Sequence, residues 1–192
     1  MPIDVTGYLS TAHFIASSNC DERPVDTEIS LLVIHNISLP PGEFGGSGVI
    51  DLFTNQINPA AHPYYQPIHM FRVSSHFFIR RDGELLQFVS CTRRAWHAGI
   101  SHWKGKDRCN DHSIGIELEG SDTIVFTDSQ YSTLTTLTRC LCARYPITDI
   151  VGHSDIAPDR KTDPGPCFDW RKYSTALGST SYFSAQKIGG NQ

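Results

Sequence analysis

Residues 149–166 have the sequence DIVGHSDIAPDRKTDPGP, which joins a short strand to a loop that contains His153, Lys161 and Asp163. Zinc accepts both histidine and carboxylate ligands. A lysine two positions before a ligating aspartate would lie beside the metal and offer a fixed positive charge to a developing oxyanion. Prolines restrict the backbone on both sides, and Gly165 permits a tight turn. For this segment alone, a reactive site and an ordinary charged surface loop both remain open.

The composition is that of a globular protein. The chain has 192 residues, of which 39% are hydrophobic and 19% charged, enough for one domain with a core. We assign this domain to residues 1–177 and expect the Ser/Gly-rich residues 178–192 to form a flexible tail. The net charge of −4 argues against nucleic-acid binding by bulk electrostatics.

Nothing in the sequence predicts a membrane protein or an exported one. No apolar run reaches the roughly 18 residues that a membrane span needs. The N-terminal segment MPIDV has an acid where a signal peptide needs bases, and no apolar region follows it. We therefore expect a cytoplasmic monomer with no membrane or nucleic-acid partner.

Six cysteines invite a disulfide interpretation, but a chain of this length without an export signal is expected to keep reduced thiols. No C-x-x-C pair occurs, which argues against a cysteine zinc finger. A nucleophilic Cys91 acting with His97 is conceivable from the residue types alone.

Apolar segments predict an α/β fold with a mixed central β-sheet flanked by α-helices, in a single domain. Residues 29–34 are apolar and partly β-branched, and residues 75–80 and 85–89 flank an Asp-Gly turn that indicates a hairpin. Apolar residues at helical spacing predict a helix that Asp128 caps, and a shorter helix is expected over residues 168–177.

Residues 113–120 (SIGIELEG) alternate apolar side chains with glycine and glutamate, which predicts a further strand. Its second face carries Glu117 and Glu119. A glutamate that lines a cleft can act as a general base, whereas a solvated one is ordinary, and the pattern alone does not choose between the two. The ends of the predicted strands would bring His35, Glu117 and His153 to one edge of the sheet.

Residues 37–69 form a long connection that prolines and glycines interrupt repeatedly. Such connections are usually functional or disordered. Aromatic residues favour an ordered loop that forms one wall of a cleft, and a packed surface loop is the alternative.

With these residues in view, the chain resembles the zinc-dependent N-acetylmuramoyl-L-alanine amidases, the family related to phage T7 lysozyme and the peptidoglycan recognition proteins. Within it, the chain is most similar to cytoplasmic members from Gram-negative bacteria that act on 1,6-anhydro-muropeptides. The resemblance runs from about residue 20 to residue 173 and is carried by residues 31–46, 94–99, 109–111, 113–120 and 160–166.

The resemblance implies a ligand set and a reaction. His35, His153 and Asp163 would bind Zn²⁺, with Glu117 and Lys161 as the catalytic residues. Three protein ligands leave a fourth position for water, as catalytic zinc sites require. The substrate would be an anhydromuropeptide from cell-wall recycling, cut between the lactyl group of the sugar and L-Ala.

Four further residues are predicted to bind the substrate. Asn36 follows a ligand directly and is expected to hydrogen-bond the substrate amide. The resemblance supports Arg72 and Arg108 as clamps for the acidic stem peptide. Trp96 is expected to pack on the anhydro sugar. Solvated arginines and a core tryptophan are the alternative interpretations.

Three other functions compete with this one. A non-catalytic muropeptide receptor on the same fold predicts an incomplete ligand set, whereas all five ligand and catalytic positions are filled here. A structural zinc usually has four protein ligands rich in cysteine. A secreted or phage autolysin would belong to the same enzyme class, and the missing signal peptide opposes it.

Overall fold

The fold is built around a six-stranded mixed sheet in a computed structural model, which describes residues 2–184. In chain order the strands are β1 (His13–Phe14), β2 (Cys20–Glu22), β3 (Leu31–Ile37), β4 (Phe77–Ile79), β5 (Leu85–Gln87), β6 (Arg93–Ala95), β7 (His102–Trp103), β8 (Lys106–Asp107), β9 (Ser113–Glu119) and β10 (Asp149–Gly152). The α-helices are α1 (Gly48–Phe53), α2 (Asp128–Arg144), α3 (His153–Ile156) and α4 (Trp170–Leu177).

The sheet has the strand order β1-β5-β4-β9-β3-β10. Strands β4, β9, β3 and β10 run parallel, and β5 returns antiparallel to β4. Two small antiparallel ribbons, β2-β6 and β7-β8, lie outside this sheet. The predicted mixed sheet with flanking helices is therefore confirmed.

Helices α2 and α4 cover one face of the sheet. Side chains of a strand alternate between its two faces, and the same periodicity sorts β3 and β9. The residues that pack against α2 are Leu32, Ile34, Ile114, Ile116 and Leu118. The opposite face carries Leu31 and Val33 in a separate apolar cluster, together with His35 and Glu117. One face thus supplies the main core and the other is left for the site.

The structure corrects several predicted boundaries. Strand β3 does not end at residue 34 but continues through His35 to Ile37. Helix α2 is capped by Thr127 rather than Asp128, because the Thr127 side chain accepts a hydrogen bond from the Gln130 amide in a capping box. Asp128 is the first helical residue and pairs with Lys172 instead.

The packed part of the chain continues beyond residue 177. Phe183 is buried and contacts Tyr173 and Trp170, and the Ile150 amide donates to the Tyr182 carbonyl at 2.9 Å. The rest of the predicted tail, residues 185–192, lies outside the described residues. None of the helices in the described chain is long and apolar enough to cross a membrane.

Candidate metal centre and active site

The register of the sheet places three predicted site residues side by side. His35 in β3 pairs with Glu117 in the neighbouring β9. On the other side of β3, Gly152 of β10 pairs with Ile34. His153 is the next residue, so it continues the row opposite His35.

Three potential ligand atoms converge at the end of this row. Asp163 Oδ2 lies 2.9 Å from His35 Nδ1 and 3.1 Å from His153 Nδ1, and the two nitrogens are 3.0 Å apart. The Ser154 amide donates to the Asp163 carbonyl at 2.9 Å, which folds the loop back onto the start of α3. The sequence thus brings His35, His153 and Asp163 together as a group that can hold a metal ion.

The donor set fits zinc. Two imidazole nitrogens and one carboxylate oxygen are ligands that zinc takes at catalytic sites, where three protein ligands leave one position open. The Nδ1 atoms of His35 and His153 face each other and the Asp163 carboxylate. A cation placed between these three atoms would accept a lone pair from each of them.

Burial and hydrogen bonding set the charges of the ligands. Burial lowers the pKa of His35 to about 4, so the imidazole is neutral at pH 7. Burial alone would raise the pKa of Asp163, but its close contacts with His153 and His35 outweigh burial and lower the pKa overall. Neutral histidines and an ionised carboxylate are the forms that bind a metal.

The second nitrogen of each histidine ligand is held by the segment that follows β6. His153 Nε2 lies 3.0 Å from the Ala98 carbonyl oxygen, and His35 Nε2 lies 3.0 Å from His97 Nδ1. Asn110 fixes this segment in turn, because its Oδ1 accepts from the His97 and Ala98 amides at 3.1 and 2.8 Å. Such outer contacts orient the rings and select their tautomers.

Glu117 is buried beside the ligand group. Its side-chain Oε2 has no hydrogen-bond partner within residues 2–184. Burial and the nearby charge of Asp163 raise its pKa well above the ordinary value, and Lys161 acts in the opposite direction. A buried carboxylate with a free oxygen and a raised pKa is a candidate general acid–base group.

The site lies in a cleft of about 560 Å³. Lys161 lines this cleft together with the ligand group and Glu117. Residues 37–69 supply one of its walls through Ile37, Ser38, Leu39, Pro41, Leu52, Phe53, Tyr64 and Ile68. The location of this connection agrees with its predicted place at a cleft.

The four predicted substrate-binding residues fall into two groups. Asn36 and Trp96 line the cleft, and Trp96 Nε1 donates to Asp21 Oδ1 at 3.1 Å. Arg72 and Arg108 are exposed and are not part of its lining. Their roles in binding the stem peptide stay predictions.

Several residues of the site were not predicted from the sequence. Asp122 lines the cleft, and its Oδ1 accepts from Asn36 Nδ2 at 2.7 Å. This leaves the Asn36 carbonyl oxygen available as an acceptor for an amide N–H. Arg160 Nη2 donates to the carbonyls of Ala98 and Ile100 at 2.8 and 2.9 Å. No sequence pattern identifies Asp122, because it is far from Asn36 along the chain and contacts it only in the folded protein.

Comparison with known proteins places the chain in a family. Residues 25–166 match the family described as N-acetylmuramoyl-L-alanine amidase, which is more than half of the chain. The chain belongs to this amidase family. The relationship that the sequence motifs suggested is therefore confirmed.

Full-length relatives share about half of their residues with this amidase. The 1,6-anhydro-N-acetylmuramyl-L-alanine amidase AmpD of Escherichia coli (strain K12) is 55% identical over 169 residues, covering 87% of this chain and 92% of its own. The crystal structure of a selenomethionine AmpD derivative is 54% identical, covers 92% of this chain and 99% of its own, and has a TM-score of 0.90.

A more distant solved structure is relevant to the ligand. The N-acetylmuramyl-L-alanine amidase AmiD from E. coli was solved in complex with the substrate anhydro-N-acetylmuramic acid-L-Ala-D-gamma-Glu-L-Lys. It is 31% identical, covers 86% of this chain and 64% of its own, and has a TM-score of 0.63.

Proposed function

We propose that this amidase is zinc-dependent and hydrolyses the amide bond between the lactyl group of 1,6-anhydro-N-acetylmuramic acid and L-Ala in muropeptides of peptidoglycan recycling. The relatives with matching length carry this activity in their names. The observation that carries the zinc proposal is the convergence of His35, His153 and Asp163 beside the buried, unpartnered carboxylate oxygen of Glu117.

The chain's own residues divide the work of amide hydrolysis between them. Bound zinc would lower the pKa of a water molecule to about 7. Glu117 accepts a proton from the attacking water and returns it to the leaving amine of L-Ala. Lys161 places a positive charge where the substrate carbonyl oxygen becomes negative. His35, His153 and Asp163 hold the metal.

Substrate recognition follows from the rest of the cleft. Asn36, oriented by Asp122, offers its carbonyl oxygen to a substrate N–H. Trp96 presents an aromatic face to the sugar. Arg72 adjoins the cleft-lining Phe71 and is the better placed of the two arginines for the acidic stem, because Arg108 already pairs with Asp111.

A reducing compartment and an active monomer are part of the proposal. All six cysteines are free thiols, which suits the cytoplasm. Every group assigned above comes from one chain, so a second copy is not needed to complete the site.

The test is mass spectrometry of the products from a purified anhydromuropeptide. We expect free 1,6-anhydro-N-acetylmuramic acid and a peptide that begins with L-Ala. Removal of the metal with a chelator should abolish both products, and added zinc should restore them. Metal analysis should find one zinc per native chain and little in the His35→Ala protein. Unchanged turnover by a protein shown to be metal-free would overturn the zinc mechanism.

A further inference from the structure

A chain of three buried side chains leads away from the candidate metal centre. His35 Nε2 lies 3.0 Å from His97 Nδ1, and His97 Nε2 lies 3.1 Å from Ser113 Oγ. The exposed fractions of His35, His97 and Ser113 are 1, 9 and 0%. His97 is not one of the three potential ligands, and its ring packs edge to face against that of His35.

Metal binding fixes the direction of the hydrogen bonds in this chain. For His35 Nδ1 to offer a lone pair to a metal, its Nε2 must carry the hydrogen and donate it to His97 Nδ1. His97 must then carry its own hydrogen on Nε2 and donate it to Ser113 Oγ. The reverse direction would place a hydrogen on His35 Nδ1, where it would point at Asp163 and block the metal.

The surroundings of His97 keep the ring in this one position. A side chain at residue 115 would put its Cβ 2.4 Å from His97 Cγ, so only glycine leaves room for the imidazole. The His97 amide is fixed by Asn110 Oδ1 at 3.1 Å. The His76 ring packs edge to face against that of His97, with centroids 5.7 Å apart.

We propose that His97 is a positioning residue that holds His35 in its metal-binding tautomer and orientation, and that Ser113 completes the arrangement. The proposal rests on the zinc function proposed above. Loss of an outer hydrogen-bond partner of a metal-bound histidine typically lowers metal affinity about 10–100-fold. The same loss is expected here for His97→Ala.

The experiment measures the zinc dissociation constant by competition with a chromophoric chelator, and the absorption spectrum of the cobalt-substituted protein. The variants are His97→Ala, His97→Asn and Ser113→Ala. Asparagine can place its carbonyl oxygen near the position of imidazole Nδ1, so His97→Asn should recover most of the affinity that His97→Ala loses. Ser113→Ala should weaken binding less than His97→Ala. The cobalt bands should shift in His97→Ala and Ser113→Ala.

The control is His112→Gln, which removes a buried histidine whose Nε2 has no hydrogen-bond partner in the described part of the chain. Its zinc affinity and cobalt spectrum should match the native protein. If His97→Ala does not fold, Ser113→Ala decides the question. Zinc affinity within about twofold of native in folded His97→Ala, or in Ser113→Ala where His97→Ala does not fold, would overturn the proposal, because loss of an outer contact typically costs about 10–100-fold. Native protein that binds no zinc would instead overturn the proposed function itself.

Discussion

Glu117 is the residue on which the proposed chemistry depends most directly. It is buried, has a free carboxylate oxygen and does not belong to the ligand group. Glu117→Gln should therefore keep zinc and the fold while removing the proton acceptor. General acid–base catalysis contributes about 10²–10⁴-fold, so we expect kcat to fall by that factor. Turnover of the anhydromuropeptide and metal content, measured on the same sample, check this.

Two outcomes would contradict this prediction, each for a different reason. Native turnover by a zinc-loaded Glu117→Gln protein would mean that Lys161 and the metal act without a carboxylate base. Loss of zinc from the variant would instead mean that Glu117 supports the ligand group.

The sequence identified the central residues of the site but not those that support them. His35, Glu117, His153, Lys161 and Asp163 were found because they lie in motifs that resemble a known family. The contact of His97 with His35 joins residues 62 positions apart, and the His97 ring fits there only because residue 115 is glycine. Spacing along the chain carries no signal for such a contact.

At the scale of elements, Glu119 connects the strand that carries Glu117 to the loop after β3. Glu119 is buried, and its Oε1 accepts from the Gly45 amide at 2.6 Å while its Oε2 accepts from the Arg81 amide at 3.0 Å. Phe44 of the same loop lies 5.0 Å from the Arg81 guanidinium carbon. The carboxylate thus anchors a loop whose preceding residues line the cleft.

Glu119→Gln should loosen this loop, because an amide offers one acceptor to two donors. Hydrogen bonds to charged groups contribute about 1.5–3 kcal/mol, so hydrogen exchange at the Gly45 amide should rise about tenfold or more. We also expect KM to rise more than kcat falls. Glu22→Gln is the matched control, since Glu22 pairs with Arg93 within the β2-β6 ribbon. Native exchange at Gly45 in Glu119→Gln would contradict the anchoring role.

Long elements were easier to predict than short ones. β3, β9 and α2 have seven, seven and seventeen residues, enough for a period of two or 3.6 residues to be visible. β1, β2, β6, β7 and β8 have only two or three residues each, so they show no periodicity. Their pairing is decided by long-range contacts, such as that between Asp21 in β2 and Arg94 in β6.

At the scale of the whole molecule, the free energy of unfolding depends on pH through a buried histidine outside the site. His76 is fully buried, and its Nδ1 accepts from the Gly115 amide at 3.1 Å. Its Nε2 lies 3.1 Å from both the Arg93 carbonyl oxygen and Arg23 Nη2. Burial, assisted by the positive charge of Arg23, lowers the pKa of His76 to about 3. Protonation would break the bond from Gly115 and place two positive charges together.

The direction of this pH dependence follows from the different pKa of His76 in the unfolded and folded chain. In the unfolded chain the imidazole binds a proton below about pH 6.5. In the folded protein it stays neutral down to about pH 3. Its contribution to stability is complete above pH 6.5 and is lost as the pH falls from there toward 3. Between pH 7 and 5 the linkage relation gives a loss of about 2 kcal/mol from this residue.

Urea unfolding of the metal-free protein at pH 7 and pH 5, for the native chain and His76→Asn, isolates that loss. Other buried groups also titrate in this range: the lowered pKa of His35 acts in the same direction as His76, whereas the raised pKa of Glu117 acts against it. These contributions are common to both proteins and cancel in the comparison. Asparagine can still accept from the Gly115 amide but cannot bind the proton. We therefore expect the free energy of unfolding to fall by about 2 kcal/mol more in the native chain than in His76→Asn between pH 7 and 5. An equal pH dependence of the two proteins would show that His76 is protonated in the fold.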